Sequence, residues 1–200
     1  MIYVVRHGQT ASNAAGLLLG RDDPALDPLG RLQAAAAGEH LADRIDGSGG
    51  SVRIVASPLS RAVETAREIG RRCGVDRMET DERWVELRYG DWEGRPVADV
   101  TPGEWRRWQL DPGWSPPGGE SLTEVQERVA DALDDLAGPA DVVVVSHVSP
   151  IKAAVCWAMG LGAESVWRMF VTPGSVTTIA PGRLPTLRSF NEQPRAGSEG

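Results

Sequence analysis

Three positions in this 200-residue chain carry side chains suited to handling phosphate, and each follows a strand signal. His7 ends the apolar run Ile2–Val5 as Arg6-His7-Gly8. Arg61 falls in the first turn of a helix expected after the strand Val52–Ala56. His147 ends the run Val142–Val145 as Ser146-His147. In open parallel sheets, ligand sites gather where the carboxyl ends of strands meet. Helix N-termini at that edge offer backbone N–H groups and the positive end of a dipole. A guanidinium adds full charge in a shape that matches phosphate oxygens. A lone histidine after a strand is more often structural than catalytic. Two histidines and two arginines converging on one edge point instead to phosphoryl transfer.

The elements needed to position them can be read from periodicity. Ile2–Val5 and Val142–Val145 are continuous apolar runs, rich in β-branched residues and typical of buried strands. Residues 9–26 lack a clean period and read as a loop containing a helical turn. Asp27-Pro28 is a helix start with a capping aspartate and proline at the first position. Leu29, Leu32, Ala36, Leu41 and Ile45 form its expected buried face, and the Gly-Ser segment 47–51 closes it. Ser57-Pro58 repeats the start signal ahead of Leu59, Ala62, Val63, Ala66 and Ile69 at helical spacing. From Trp84 to Gly119 the pattern turns irregular and holds five of the seven tryptophans, with a short helix expected near 102–110. Ser121 and Glu124 make a capping box for a helix buried along Leu122, Val125, Val129, Ala132, Leu133 and Leu136. Ser149-Pro150 starts a further helix. Strands near 175–180 and 184–190 flank the turn Pro181-Gly182-Arg183.

Strands alternating with helices give an α/β fold, a mostly parallel central sheet with helices on both faces. One domain over 1–190 is expected, with an insertion or cap at about 84–120 and a flexible tail at 191–200. Its formal charge of −7 argues against nucleic acid or an anionic membrane as partner. A local arginine cluster can still hold a small anion. The two cysteines, Cys73 and Cys156, have no metal-ligand spacing and suit a reducing cytoplasm. No segment reads as a signal peptide or membrane span.

The stretch Val5-Arg6-His7-Gly8-Gln9-Thr10, with Asn13 beyond it, resembles the signature of the histidine phosphatase superfamily, the phosphoglycerate mutase-like proteins. The resemblance continues through Gly20, Leu26 and Gly30, SPLSRAVETA at 57–66, VELRYGDWEG at 85–94, PPGGES at 116–121 and VVVVSH at 142–147. It implies a three-layer phosphoglycerate mutase-like fold. It also implies His7 as the nucleophile that forms a phosphohistidine, and Arg6 and Arg61 as holders of the phosphoryl oxygens. Gln9, Asn13, Gly20, Tyr89 and Val148 are implied as further substrate contacts. By the same resemblance His147 donates to the phosphoryl group, and Glu86 protonates the leaving oxygen and then deprotonates water. Burial and the incoming phosphate would both favour the protonated form of Glu86.

The implied substrate is a small phosphomonoester, with no metal and no cofactor; a homodimer is allowed but not specified. SHVSPIK at 146–152 departs from the family's glycine pair after the histidine, so Val148 and Ser149 remake the wall beside His147. Together with PPGGES this looks like the broad phosphatase branch, which includes ribazole-phosphate phosphatase-like members. The rival within the family is a 2,3-bisphosphoglycerate-dependent phosphoglycerate mutase, supported by ELRYG. Against it, the insertion is short and lacks the long basic segment of the mutases. A zinc hydrolase built on His7, His147 and Glu86 is chemically reasonable, but two adjacent arginines would repel a dication. A silent phospho-ligand binder would not need this full set of side chains. A protein phosphohistidine phosphatase would not need an insertion that restricts access. His40 reads as a surface residue, the tryptophans as packing for the insertion, and Arg106 and Arg107 as an exposed face or holders of a second acidic group.

Overall fold

The computed structural model describes residues 1–45, 52–136 and 138–195; the segment 47–51 expected to close the first long helix lies outside them. Six strands, β1 (Ile2–Arg6), β2 (Val52–Ala56), β3 (Met78–Thr80), β4 (Asp141–Ser146), β5 (Val176–Ala180) and β6 (Thr186–Glu192), form one sheet. Its order is β3-β2-β4-β1-β5-β6. The first four neighbours in that order run parallel, and β5 and β6 add an antiparallel hairpin at the far edge. The expected largely parallel sheet is therefore present. The short edge strand β3 was not legible, because half-buried Met78 followed by exposed Glu79 and Thr80 leaves no apolar period.

Register explains why the polar residues converge. Arg6 pairs with Ser146 and Ala56 with Val145, so β1, β4 and β2 end side by side. The next residues, His7, His147 and Ser57, emerge together. The amide of His7 donates to Ser146 O at 3.0 Å and that of Ser57 to Val145 O at 2.9 Å, which extends the ladder one step beyond the strands.

The period-2 alternation of β4 splits the core in two. Val143 and Val145 face α2 (Pro28–Ile45) and α3 (Ser60–Cys73), while Val142 and Val144 face α5 (Leu122–Leu136) and α6 (Val148–Met159). The buried stripe of α5 matches the expected six residues, and its capping box forms, with Glu124 N donating to Ser121 Oγ at 3.2 Å.

Two helix readings need correction. On α2, Leu29 and Leu32 are exposed; the buried face is Gly30, Ala34, Ala36, Ala37, Gly38, Leu41 and Ile45. Small residues won there because α2 lies close against α3: a Cβ on Gly38 would come within 3.2 Å of Ile69 Cα. The helix after Ser57-Pro58 begins only at Ser60, whose N–H and hydroxyl donate to Asp23 at 2.6 and 2.8 Å. Ser57 is thereby left for another partner.

The loop 9–26 contains a single turn, α1 (Ala11–Ala14), and the 84–120 region contains 3₁₀ turns and α4 (Pro102–Leu110). The two segments join by backbone bonds, Leu18 N to Arg95 O at 2.9 Å and Gly94 N to Leu18 O at 2.8 Å. Trp92, Trp105, Trp108 and Trp114 cluster with Trp167, which comes from the 3₁₀ segment Ala163–Arg168; Trp105 and Trp108 stack at 5.6 Å. Strand β6 runs to Glu192, past the expected 184–190 and into the segment read as tail; residues 196–200 of that segment lie outside those described. No helix among the described residues is long and apolar enough to cross a membrane.

Candidate active site

Arg6, His7, Asn13, Leu17, Leu18, Leu19, Gly20, Arg61, Glu86, Tyr89, Val97 and Val148 line a cavity of ≈ 180 Å³ at the carboxyl edge of the sheet. Nine of the ten residues singled out from the sequence therefore lie in or against one space, His147 touching it through His7 and Arg61. The exception is Gln9. Its side-chain amide donates to Asp27 Oδ2 at 3.0 Å, and Asp27 in turn accepts from Gly30 N at 2.7 Å. Gln9 thus ties the loop after His7 to the start of α2 and does not face the cavity. The closeness of that junction requires glycine, since a Cβ on Gly8 would fall 2.1 Å from Gly30 O.

His7 is 2 % exposed and its ring is held by donation from Nδ1 to Gly8 O at 2.7 Å. That bond places the lone pair on Nε2, which receives the Nε–H of Arg61 at 3.2 Å. The same Arg61 Nε also points at His147 Nδ1, 3.3 Å away, and the two imidazole centroids are 4.9 Å apart. His147 Nε2 shares a 2.7 Å hydrogen bond with Ser57 Oγ. Arg61 has no exposed surface; its terminal nitrogens donate to the carbonyls of Gly20 and Asp22. The left-handed Gly20 (φ +53°) turns its carbonyl into that role.

Arg6 donates to Val171 O, and burial pulls its guanidinium down to about 10, so it stays charged at neutral pH. Asn13 Oδ1 accepts from Thr10 N at 3.1 Å in the cap of α1, and its Nδ2 has no partner among the described residues. Glu86 is 6 % exposed; its oxygens accept from the backbone of Leu87 at 2.8 Å and from Val148 and Ser149 at 3.1 Å each. The N-terminus of α6 thus orients this carboxyl. Burial, with the Glu86 charge, raises the Tyr89 phenol, so it remains a neutral hydroxyl.

Sequence reasoning passed over Ser57, which was absorbed into a helix-start signal, and Asp23, which lay in the stretch 9–26 read as loop. Thr65, whose Oγ1 accepts from Gly8 N at 3.1 Å, was also missed, having read as a helix residue. Arg106 and Arg107 are exposed and line no cavity with the site; Arg107 sits 5.1 Å over the Trp114 ring. His40 is half-buried rather than on the surface, with a buried Nε2 that lacks a partner. Among the described residues, no group of three or more His, Cys, Asp or Glu is disposed to hold a metal ion.

Both site imidazoles lie well below their ordinary range. Burial disfavours their charged form, and repulsion from Arg6 and Arg61 for His7, and from His7 and Arg61 for His147, adds to it. The unfolded chain takes up these protons near pH 6.5 whereas the folded one refuses them. Their contribution to stability is therefore complete above about pH 6.5 and is lost as pH falls below it. Stability against urea should fall from pH 7 to 5.5, with a slope approaching about 1.4 kcal/mol per pH unit for each ring. His40, also lowered by burial, adds a smaller share. A flat profile over that window would contradict neutral buried rings.

Two imidazoles kept neutral between two buried guanidiniums, with a carboxyl opposite, define a phosphoryl-handling site on an α/β sheet. The chain belongs to the histidine phosphatase superfamily (branch 1), whose family model matches residues 2–192. A bifunctional protein of Mycobacterium tuberculosis is 36% identical over 182 residues, covering 88% of this chain and 49% of that protein. The chain thus spans about half the length of that relative. The mycobacterial glucosyl-3-phosphoglycerate phosphatase solved with VO3 superposes with a TM-score of 0.84 at 30% identity, covering 96% of this chain and 98% of the other. The phosphoserine phosphatase of Entamoeba histolytica, solved with 3-phosphoglyceric acid, gives 0.83 at 27% identity over 96% of each chain. The expected phosphoglycerate mutase-like fold is present.

Proposed function

We propose that this protein is a metal-independent phosphomonoesterase that passes the phosphoryl group of a small phosphorylated metabolite through His7 Nε2. The observation that carries the reading is the fixed tautomer of His7: Nδ1 bonded to Gly8 O, and Nε2 presented to the cavity beneath Arg61. A neutral imidazole with a directed lone pair is a nucleophile without a preceding proton loss.

An incoming phosphate competes for the Arg61 Nε–H and draws it from His7, freeing Nε2 as the ester seats. Arg6 and Arg61 neutralise the phosphoryl oxygens, without which anionic phosphate would repel any nucleophile. Asn13 adds its Nδ2. His147 Nδ1 loses the Arg61 Nε–H in the same exchange; with the ring proton then moved to Nδ1 and Ser57 Oγ donating to Nε2, it gives a further hydrogen bond to the developing charge. Nε2 of His7 bonds to phosphorus as the ester P–O bond breaks, and Glu86 gives its proton to the leaving oxygen. Water then attacks the phosphohistidine and loses its proton to Glu86; the P–N bond breaks and phosphate departs.

The insertion over the cavity supports small substrates rather than phosphoproteins. The cytoplasm is the compartment we assign, since two cysteines in 200 residues give no disulfide framework of the kind secreted domains carry. The test is phosphate release from a panel of small phosphomonoesters with EDTA present. Turnover should be undiminished by the chelator, and transfer of phosphate between positions of phosphoglycerate should stay far below hydrolysis. Loss of activity on chelation, or transfer exceeding hydrolysis, would overturn the reading.

A further inference from the structure

Beside the phosphate cavity lies a second one, of ≈ 170 Å³, lined by Tyr89, Trp105, Trp108, Leu122, Val148, Ser149, Lys152, Val166 and Trp167. Tyr89 and Val148 line both, so the two spaces are neighbours. Its walls are aromatic and aliphatic apart from Ser149 and one charged side chain. Lys152 is the only lysine of the chain, against twenty arginines. It is half-buried and forms no ion pair or hydrogen bond among the described residues. Val148, Ser149 and Lys152 occupy one face of the first turns of α6, the helix whose N–H groups hold Glu86.

A half-buried ammonium without a bonded partner, inside an indole-walled chamber, costs stability unless something anionic completes it. Burial pulls the Lys152 ammonium below its ordinary range; Glu86 opposes that shift and Arg6 adds to it. Arginine is used everywhere else in this chain. A single compact ammonium fits one anionic oxygen group at the end of a narrow space better than a planar fork would.

The geometry points to Lys152 as the anchor for a carboxylate carried on the alcohol half of the phosphate ester, with the body of that half seated against Trp105, Trp108 and Trp167. This deepens the phosphomonoesterase reading and rests on it. The leaving oxygen lies at Glu86, and the group attached to it extends past Val148 into the chamber. Lys152 is then a specificity determinant of the same site.

The experiment compares 4-carboxyphenyl phosphate with its neutral isostere 4-carbamoylphenyl phosphate in wild type, Lys152→Gln and Lys152→Arg, by kcat/KM. Wild type should prefer the carboxylate at least about tenfold, the worth of one modest charge-assisted contact. Lys152→Gln should bring the ratio close to one, and Lys152→Arg should keep part of it. A wild-type ratio near one, or a preference that survives Lys152→Gln, overturns the assignment while leaving the phosphatase reading intact. Should the wild type hydrolyse neither ester, the phosphatase reading fails on these probes, and binding of 4-hydroxybenzoate against 4-hydroxybenzamide, followed by tryptophan fluorescence, still decides the role of Lys152. Selective binding of the carboxylate by wild type supports it, and equal binding rejects it. The same binding pair applies if Lys152→Gln does not fold.

Discussion

With His7 replaced by alanine, hydrolysis of every phosphomonoester should fall by about 10⁴-fold or more while inorganic phosphate still binds. Nucleophilic catalysis has no substitute once the attacking atom is gone, and the residual rate is what positioning and charge alone supply. Phosphate binding should persist because Arg6, Arg61 and Asn13 are untouched by the change. The decisive measurement traps the phosphoenzyme. Acid-labile, base-stable label from a radioactive ester should appear on the wild type and be absent from His7→Ala. A variant that turns over within tenfold of wild type, or that still becomes labelled, would mean that phosphorus is attacked by some other group.

Arg61→Ala should be the costliest change outside the nucleophile, because one side chain does four things. It donates to His7 and His147 and to the carbonyls of Gly20 and Asp22, with no exposed surface of its own. Removing it leaves the buried Gly20 carbonyl and the Asp22 carbonyl without this donor and opens a void at the carboxyl edge, a loss of roughly 2–4 kcal/mol in urea unfolding. It also removes a donor aimed at developing charge, for a further fall of about 10³-fold in kcat/KM. Arg61→Lys restores charge but cannot reach both carbonyls and the imidazoles at once, so it should recover only a small part of the rate. Near wild-type kinetics in Arg61→Lys would show that charge alone matters and that the fork geometry does not.

Much of this site was legible because it hangs on strand ends. β1 and β4 carry unbroken apolar runs rich in β-branched residues, and whatever follows such runs in a parallel sheet must emerge at one edge. His7 and His147 could be placed on that ground. Arg61 was placed by its helix, although the helix begins two residues later than the Ser57-Pro58 signal implied. What stayed hidden was second-order pairing. Ser57 read as a cap, yet its hydroxyl supports His147, because Asp23 arrives from a distant loop to cap α3 in its place. Gln9 read as a substrate contact, yet Asp27 claims its amide. The exposure of Leu29 and Leu32 was equally unreadable, since hydrophobicity suggested a face that the close approach of α2 to α3 reserved for glycine and alanine. Local pattern shows where a residue emerges, and a partner dozens of positions away decides what it bonds.

The indole cluster gives the molecule a built-in optical label. Each of Trp92, Trp105, Trp108, Trp114 and Trp167 has its ring centroid within 6.5 Å of at least two others in the group, several edge to face. Rings this close share excitation, so their ultraviolet circular dichroism and emission report on the group rather than on one residue. Three of them, Trp105, Trp108 and Trp167, wall the chamber beside the phosphate cavity. Anything that enters there perturbs the shared signal directly, and filling of the leaving-group side can be watched separately from chemistry at phosphorus, with unmodified protein and in real time.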